Sequence, residues 1–505
     1  MCKKTDKQFK FNRRGLLKGM GALAGCAIAP TTIVKASNES QNEDEPHFFL
    51  HVMVTGGMDT TYLFDARPLN MTDKGKIQNY CYKNDNPNEE VLDDPEPRIL
   101  KGTNGTTTLR SPLTDELTKN HQKDFTVING VTMLTNGFVG HDSNTYYLFT
   151  NQATRGQDSW LPILTRHKKS PLDTIHLGYF GPDGVSEPKN FGGSIQFKKG
   201  AVGSLRNTFL LGPKIVLESP LYRRILQRME KVGNGVGLFA KGAQNLKSAL
   251  ENAPSLARRL SEVDFEQGDE SLGEKSLEFK TALKFGCDYF KNGISSSMTL
   301  MVDRQNQLDT HSTTTAQRQV ANYKEIIGKI DYLFKKLNEK DSFAPGKSML
   351  DVTTVLISSE FSRTMRQHDD PEEMGRTATD HNPFCNTLIV AGKGIKTGQV
   401  IGASDLNDVD KNGDFINVSG AHKTKDEKLL SIIGKPFDFE TGKPKRTREG
   451  DEFLPQTWDV KDYLNCASVT NTLMKLMGVD SKHYYSLPTQ QEGEFAPLLT
   501  QILKD

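Results

Sequence analysis

Val352-Thr353-Thr354-Val355-Leu356-Ile357, running into Ser358-Ser359-Glu360, is the stretch on which the fold turns. Its β-branched residues suit a pleated strand and disfavour a helix. It ends in small polar residues and an acid, as a buried strand does where it leaves the sheet. Upstream, Val320, Tyr323, Ile327, Ile330, Phe334 and Leu337 recur every three or four residues and predict a long amphipathic helix. Before that helix, Met298-Thr299-Leu300-Met301-Val302 predicts another strand, and Thr387-Leu388-Ile389-Val390-Ala391 predicts one downstream.

The pattern repeats further out. His47 to Val54 is an apolar, β-rich run closed by Thr55-Gly56-Gly57, and Phe125-Thr126-Val127-Ile128 reads as the next strand. Helical spacing covers Ser143 to Asn151, and a short strand is expected within Thr174 to Tyr179. From Pro220 to Phe290 the chain is charged and helical, with Leu221, Ile225 and Met229 on one face, which predicts a helical insertion. Val469, Leu473 and Leu476 mark a closing helix with Gly478 as its cap. Strands alternating with helices predict an α/β sandwich with a largely parallel central sheet, occupying residues 47–505.

Two segments hold the chemistry, each expected at a strand end, where open α/β sheets bind ligands. In Asp309-Thr310-His311, residues two apart in extended chain face one way and could reach one cation. In Ser359-Glu360-Phe361-Ser362-Arg363-Thr364 a carboxylate and a guanidinium lie three apart, a pairing suited to metal binding with an oxyanion clamp, or to a structural ion pair. Thr379-Asp380-His381-Asn382 follows, just ahead of another strand. Carboxylates and imidazoles of this kind gather divalent cations.

The N-terminus reads as an address. Asn12-Arg13-Arg14-Gly15-Leu16-Leu17-Lys18, preceded by lysines and followed by a weakly apolar stretch, resembles a twin-arginine export signal within residues 1–30. Leu23-Ala24-Gly25-Cys26 looks like a lipobox in which Cys26 is lipidated, with residues 31–46 as a polar tether. The alternative is a cysteine that happens to fall in a signal peptide. Removing residues 1–25 takes away seven cations and one anion, so the formal charge falls from +1 to −5. That balance argues against a nucleic-acid partner. Cys81, Cys287, Cys385 and Cys466 remain, without Cys-x-x-Cys spacing, so a thiolate zinc site is not expected. Either disulfides or free buried thiols fit.

Taken together, Asp309-Thr310-His311, Ser359 to Thr364, Thr379-Asp380-His381 and Gly392-Lys393-Gly394-Ile395-Lys396-Thr397-Gly398 resemble a bacterial family of exported proteins with twin-arginine signals. That family is placed in the alkaline phosphatase/sulfatase superfamily. Gly56-Gly57 through Asp65-Ala66-Arg67-Pro68 resembles its opening motif, and His141 with Trp160-Leu161 its second. The resemblance implies an alkaline phosphatase-like sandwich that binds two divalent metal ions and hydrolyses phosphate or sulfate esters by in-line displacement. Zinc, manganese, magnesium and calcium all suit such donors. It further implies Asp59 or Asp65, Asp309, His311, Glu360, Asp380 and His381 as cation holders, with Arg363 clamping the oxyanion.

The departure is at the nucleophile. The superfamily places Cys, Ser or Thr nine residues before the Thr of a Thr-Gly pair. Here Thr150-Asn151 resembles the pair, and His141 stands nine residues back. His141 would attack directly, or would hold metal while Ser143 or water attacks. Three readings follow: an exported hydrolase of small-molecule or glycan esters, anchored through lipid or periplasmic; a non-catalytic envelope protein binding a ligand or partner through the same fold; and a metal-dependent mutase. The twin-arginine translocase is an expected partner of all three. Asp408 to Asp414 matches half of a calcium loop, but Ser419 stands where a bidentate Glu is expected, so a polar turn is the better reading.

Overall fold

The computed structural model describes residues 45–67, 77–78, 92, 94, 96–133, 140–151, 159–168, 170, 174–177, 195–197, 227, 279–302, 308–310, 318–363, 366–367, 379, 381–406, 432–445, 448–449, 452–453, 460–487 and 495–504. Arg13, Arg14, Cys26, Cys81, His311, Asp380 and the Asp408–Asp414 loop lie outside these residues, as does most of the expected helical insertion.

Among the described residues eight strands form the central sheet: β1 (Phe48–Met53), β2 (Phe125–Ile128), β3 (Ile175–Leu177), β4 (Ile195–Phe197), β5 (Ser297–Met301), β6 (Thr353–Ser358), β7 (Leu388–Gly392) and β8 (Val400–Ile401). Their order across the sheet is β8-β2-β7-β6-β1-β5-β3-β4. β1 is central and pairs in parallel with β5 and β6, for example Val52 with Leu300 and with Ile357. Only β7 runs the other way, antiparallel to both β2 and β6. The expectation of a largely parallel sheet therefore holds; β1, β2, β3, β5, β6 and β7 fall within one or two residues of the apolar runs that predicted them, whereas β4 and β8 were not expected from the sequence.

Alternation along β1 shows why both faces are covered. Leu50, Val52 and Val54 pack into one core with α4 (Phe279–Lys291) and α5 (Gln319–Leu337). Phe49 and Met53 point the other way, into a second core with α2 (His141–Thr150), α3 (Trp160–His167) and α6 (Cys466–Leu476). All six residues that predicted α5 are buried. α4 covers one face of the sheet, so the end of the expected insertion is a layer of the sandwich itself. Gly478, at φ +82°, follows α6 and donates its N–H to Lys475 O at 2.9 Å, as expected of a helix cap. Cys287, Cys385 and Cys466 are free thiols. Among the described residues no helix is long and apolar enough to cross a membrane.

Candidate metal centre

β1, β5 and β6 are parallel neighbours, so the chain leaves all three at one rim, and β7 enters the sheet at that same rim. Val54 N–H donates to Ser358 O and Val302 N–H to Met53 O, which hold the departing segments side by side. Thr379 N–H donates to Thr310 O at 3.0 Å, and the two hydroxyls lie 2.5 Å apart. Sequence motifs separated by about seventy residues are thereby in direct contact. Arg363 pairs with His381 in a short antiparallel bridge, adding the third motif.

His141, Asp309 and His381 bring one ligand atom each to positions within 4.8 Å of one another and form a group able to hold a metal ion. A cation bound to nitrogen and oxygen at about 2.1 Å holds neighbouring donors roughly 3.4 Å apart. The triad stands slightly wide of that spacing, within reach of modest side-chain rotation. Two imidazoles and one carboxylate suit zinc or manganese, and three protein donors leave coordination positions for a further ligand.

Behind the triad lies a support built on the Gly56 peptide. Glu360, fully buried, accepts His141 Nδ1–H and Gly56 N–H on Oε1, both at 2.8 Å, and Ser359 Oγ–H on Oε2 at 3.0 Å. Arg363, equally buried, donates Nε–H to Gly56 O at 2.8 Å and Nη2–H to Asp309 Oδ1 at 2.7 Å. The other imidazole nitrogen of His141 faces Asp309 Oδ2 at 3.4 Å. A ligating imidazole whose second nitrogen is held by a carboxylate is the usual arrangement around protein metals. Glu360, expected among the cation holders, is placed behind His141 with both oxygens engaged. Arg363, expected as an oxyanion clamp, is directed at Gly56 and Asp309.

Gly57 explains how these groups pack so closely. At φ +83° it adopts a backbone that side-chain-bearing residues disfavour, and a Cβ there would stand 2.5 Å from the Phe361 ring and 2.7 Å from Arg363 Nε. The Phe361 ring in turn packs on both triad imidazoles, at 4.9 Å from His141 and 4.3 Å from His381 between centroids.

Charge follows from this geometry. Burial alone disfavours the His141 imidazolium, but hydrogen bonds and attraction from Asp309 and Glu360 outweigh it and raise the pKa to about 9. Burial likewise works against the Asp309 carboxylate, yet His141 and Arg363 hold it well below the ordinary range. These are two views of one interaction.

The opening acids sit outside the triad. Asp59 caps the short turn at Thr60–Tyr62, accepting Thr61 N–H at 2.9 Å and Thr61 Oγ–H at 2.7 Å. Burial pushes its carboxyl up to about 6 against those bonds. Asp65 pairs with Arg67 at 3.0 Å and accepts Ser404 Oγ–H. At the far end of α2, Asn151 stands at φ +54°, in the left-handed region that glycine usually takes after a helix. Sequence reasoning missed the Gly56 peptide as the piece joining the two supports. Its only signal was a Gly-Gly pair closing the first strand.

Residues 300–455 match the family model described as a protein of unknown function (DUF1501), so a domain of that uncharacterised family is present there. No curated protein matches the chain. Among solved structures, the PH0037 protein from Pyrococcus horikoshii aligns at 11% identity over 70% of this chain and 91% of that one, with a TM-score of 0.26. A score that low carries no argument about fold.

Proposed function

We propose that this chain is an exported, metal-dependent hydrolase of phosphate or sulfate esters. One observation carries the reading: His141, Asp309 and His381 converge at one rim of the sheet, and the two engaged most closely, His141 and Asp309, are each held from behind, by Glu360 and by Arg363. Such support is the mark of side chains kept in place for a ligand rather than left to solvent. Bound there, a divalent cation supplies Lewis-acid polarisation of an ester oxygen. Glu360 fixes which nitrogen of His141 faces the triad, and Arg363 orients the Asp309 carboxylate. The alkaline phosphatase-like pattern, two-metal chemistry, the twin-arginine signal at Arg13-Arg14 and lipidation of Cys26 belong to this proposal.

Elemental analysis of the folded, exported protein tests it first, followed by turnover of aryl phosphates and aryl sulfates with and without chelator. Stoichiometric metal with no turnover across a broad ester panel would count against hydrolysis. A second reading, a binding protein without catalysis, is favoured by the seat of His141 between two carboxylates, where neither ring nitrogen is presented to an incoming ester. His141→Ala separates the two readings: lost turnover supports the enzyme, and retained ligand binding with no activity to lose supports the binder.

A further inference from the structure

Gly392-Lys393-Gly394-Ile395-Lys396-Thr397-Gly398, one of the motifs of the sequence, stands away from the metal centre. β7 arrives at the triad's rim and departs at the other, so this run lies where β1, β5 and β6 begin. It gathers both ends of the described chain. Lys393 Nζ–H donates to Glu45 O at 3.2 Å and to Pro46 O at 3.1 Å, and pairs with Glu45 Oε2 at 3.1 Å. Lys347 pairs with the other oxygen of that carboxylate. Lys396 N–H donates to Ile502 O at 2.8 Å, and Lys504 N–H to Gly394 O at 2.9 Å. A Cβ on Gly394 would meet the Leu476 side chain, which puts the end of α6 against the same loop.

Charge is uneven at this rim. Residues 335–352, 392–396, 475–483 and 502–504, with Glu45, carry nine lysines and five acids, whereas the chain beyond residue 25 has a formal charge of −5. Each of those acids is engaged. Glu45 is clamped as above, Glu339 pairs with Lys336 at 2.7 Å, and Asp480 pairs with Lys482 at 3.3 Å. Asp341 accepts Gly346 N–H, and Asp351 accepts Ser348 N–H. Lys340, Lys475 and Lys504 are exposed and form no ion pair among the described residues. Lys475 complements the end of the α6 dipole, but Lys340 and Lys504 lie beyond the helices, where no dipole calls for a cation.

Chain length decides what this rim faces. Nineteen residues lead from Cys26 to Glu45, a reach of at most about 65 Å in any conformation. Glu45 is pinned at the rim, and the six-residue β1 rises about 20 Å from there toward the triad. A body held to a bilayer through Cys26 therefore presents its lysine rim first.

We propose that the rim where β1, β5 and β6 begin is a docking surface for an anionic phospholipid bilayer, so that the metal centre on the opposite rim looks away from the membrane. Lys340, Lys475 and Lys504 meet headgroup phosphates, and the clamp of Lys347 and Lys393 on Glu45 fixes where the tether leaves the body. The docking surface depends on the reading of Cys26 as lipidated only for its tether.

The test is co-sedimentation of the purified mature chain, carrying Cys26→Ser, with vesicles of phosphatidylglycerol and phosphatidylcholine or of phosphatidylcholine alone. About 10 mM salt is used, where charges act over the longest range. Binding to the anionic vesicles and not to the neutral ones is expected, and its loss at about 1 M salt. Lys340→Glu, Lys475→Glu and Lys504→Glu together should weaken it at least about 100-fold, roughly fivefold for each attraction removed. On the bound parent, acetylation read by mass spectrometry should find Lys340 and Lys504 protected. Lys324, exposed in the second turn of α5 and away from this rim, should react as it does in solution. No binding, equal binding to neutral vesicles, a folded variant that binds like the parent, or protection of Lys324 in place of the rim lysines overturns the proposal. The acetylation pattern decides even if the variant does not fold. The mass of the exported protein reads lipidation separately: an unmodified Cys26 sinks the anchor reading, while vesicle binding still decides the docking surface.

Discussion

Replacing Glu360 by Gln removes one charge from the support while keeping its shape, and its effect can be worked from the structure. Oε1 of the carboxylate already serves both His141 Nδ1–H and Gly56 N–H at 2.8 Å, so the glutamine oxygen can keep both. The new amide faces Ser359 Oγ, which can rotate to accept. What is lost is the charge-assisted part of these bonds. A hydrogen bond to a charged group is worth about 1.5–3 kcal/mol against about 1 for a neutral one. The metal-free protein should therefore lose about 2 kcal/mol of stability at neutral pH, measurable by urea unfolding. Metal affinity, read by competition with a chelator, should fall about 10- to 100-fold, the usual effect of removing an outer-shell partner. The pKa of His141 should fall from about 9. Because the folded value exceeds the ordinary 6.5, the imidazolium stabilises the metal-free fold fully below pH 6.5, and that contribution disappears as pH rises through 9. Binding a cation displaces the same proton, so affinity should climb with pH toward 9 in the parent and level off earlier in the variant. A variant within twofold of the parent in metal affinity, and within about 0.5 kcal/mol in stability, would refute the role assigned to Glu360.

Other perturbations follow from the same geometry. Gly57→Ala forces a Cβ against Phe361 and Arg363 at a positive φ and should cost about 2–4 kcal/mol with loss of bound metal, read by thermal unfolding and elemental analysis. Asp309→Asn should abolish stoichiometric metal while leaving the fold measurable by circular dichroism. His51 and His176 are fully buried on the sheet, and burial depresses them to about 3 and about 4. Their neutral forms contribute stability that is present above pH 6.5 and lost as pH falls toward those values, so a flat urea-unfolding profile between pH 6 and 4 would contradict the reading. Asn151→Ala combines a left-handed φ with loss of the Asn151 Nδ2–H bond to Ser486 O, and should destabilise by about 1–2 kcal/mol.

Much of the sheet was legible because its signals are local. The β-branched run before Ser358 and the three- and four-residue spacing of α5 each reflect one element's own burial. The rim was legible in the same way, since Asp309, Glu360 and His381 each stand beside an apolar run. Who does what at the rim was not. Glu360 and Arg363 differ from ligands only in the partners they meet across the sheet, and those partners depend on register, which no single segment encodes. Asp59 and Asp65 carry the residue type of a cation holder, but Asp59 Oδ1 caps the turn at Thr60–Tyr62 and Asp65 pairs with Arg67, roles that no local pattern announced.

The reversed direction of β7 has an evolutionary corollary. Along β1, β5 and β6 the polypeptide reaches the rim on departure, whereas along β7 it reaches the rim on arrival. Residues 359–363 and 381–387 thus stand on the same ledge, with Glu360 on the departing leg and His381 on the arriving one. Substitutions along these two legs would remodel the surroundings of the triad while every strand of the sheet keeps its neighbour. What lies around the triad is thereby free to drift in sequence without renegotiating the sheet.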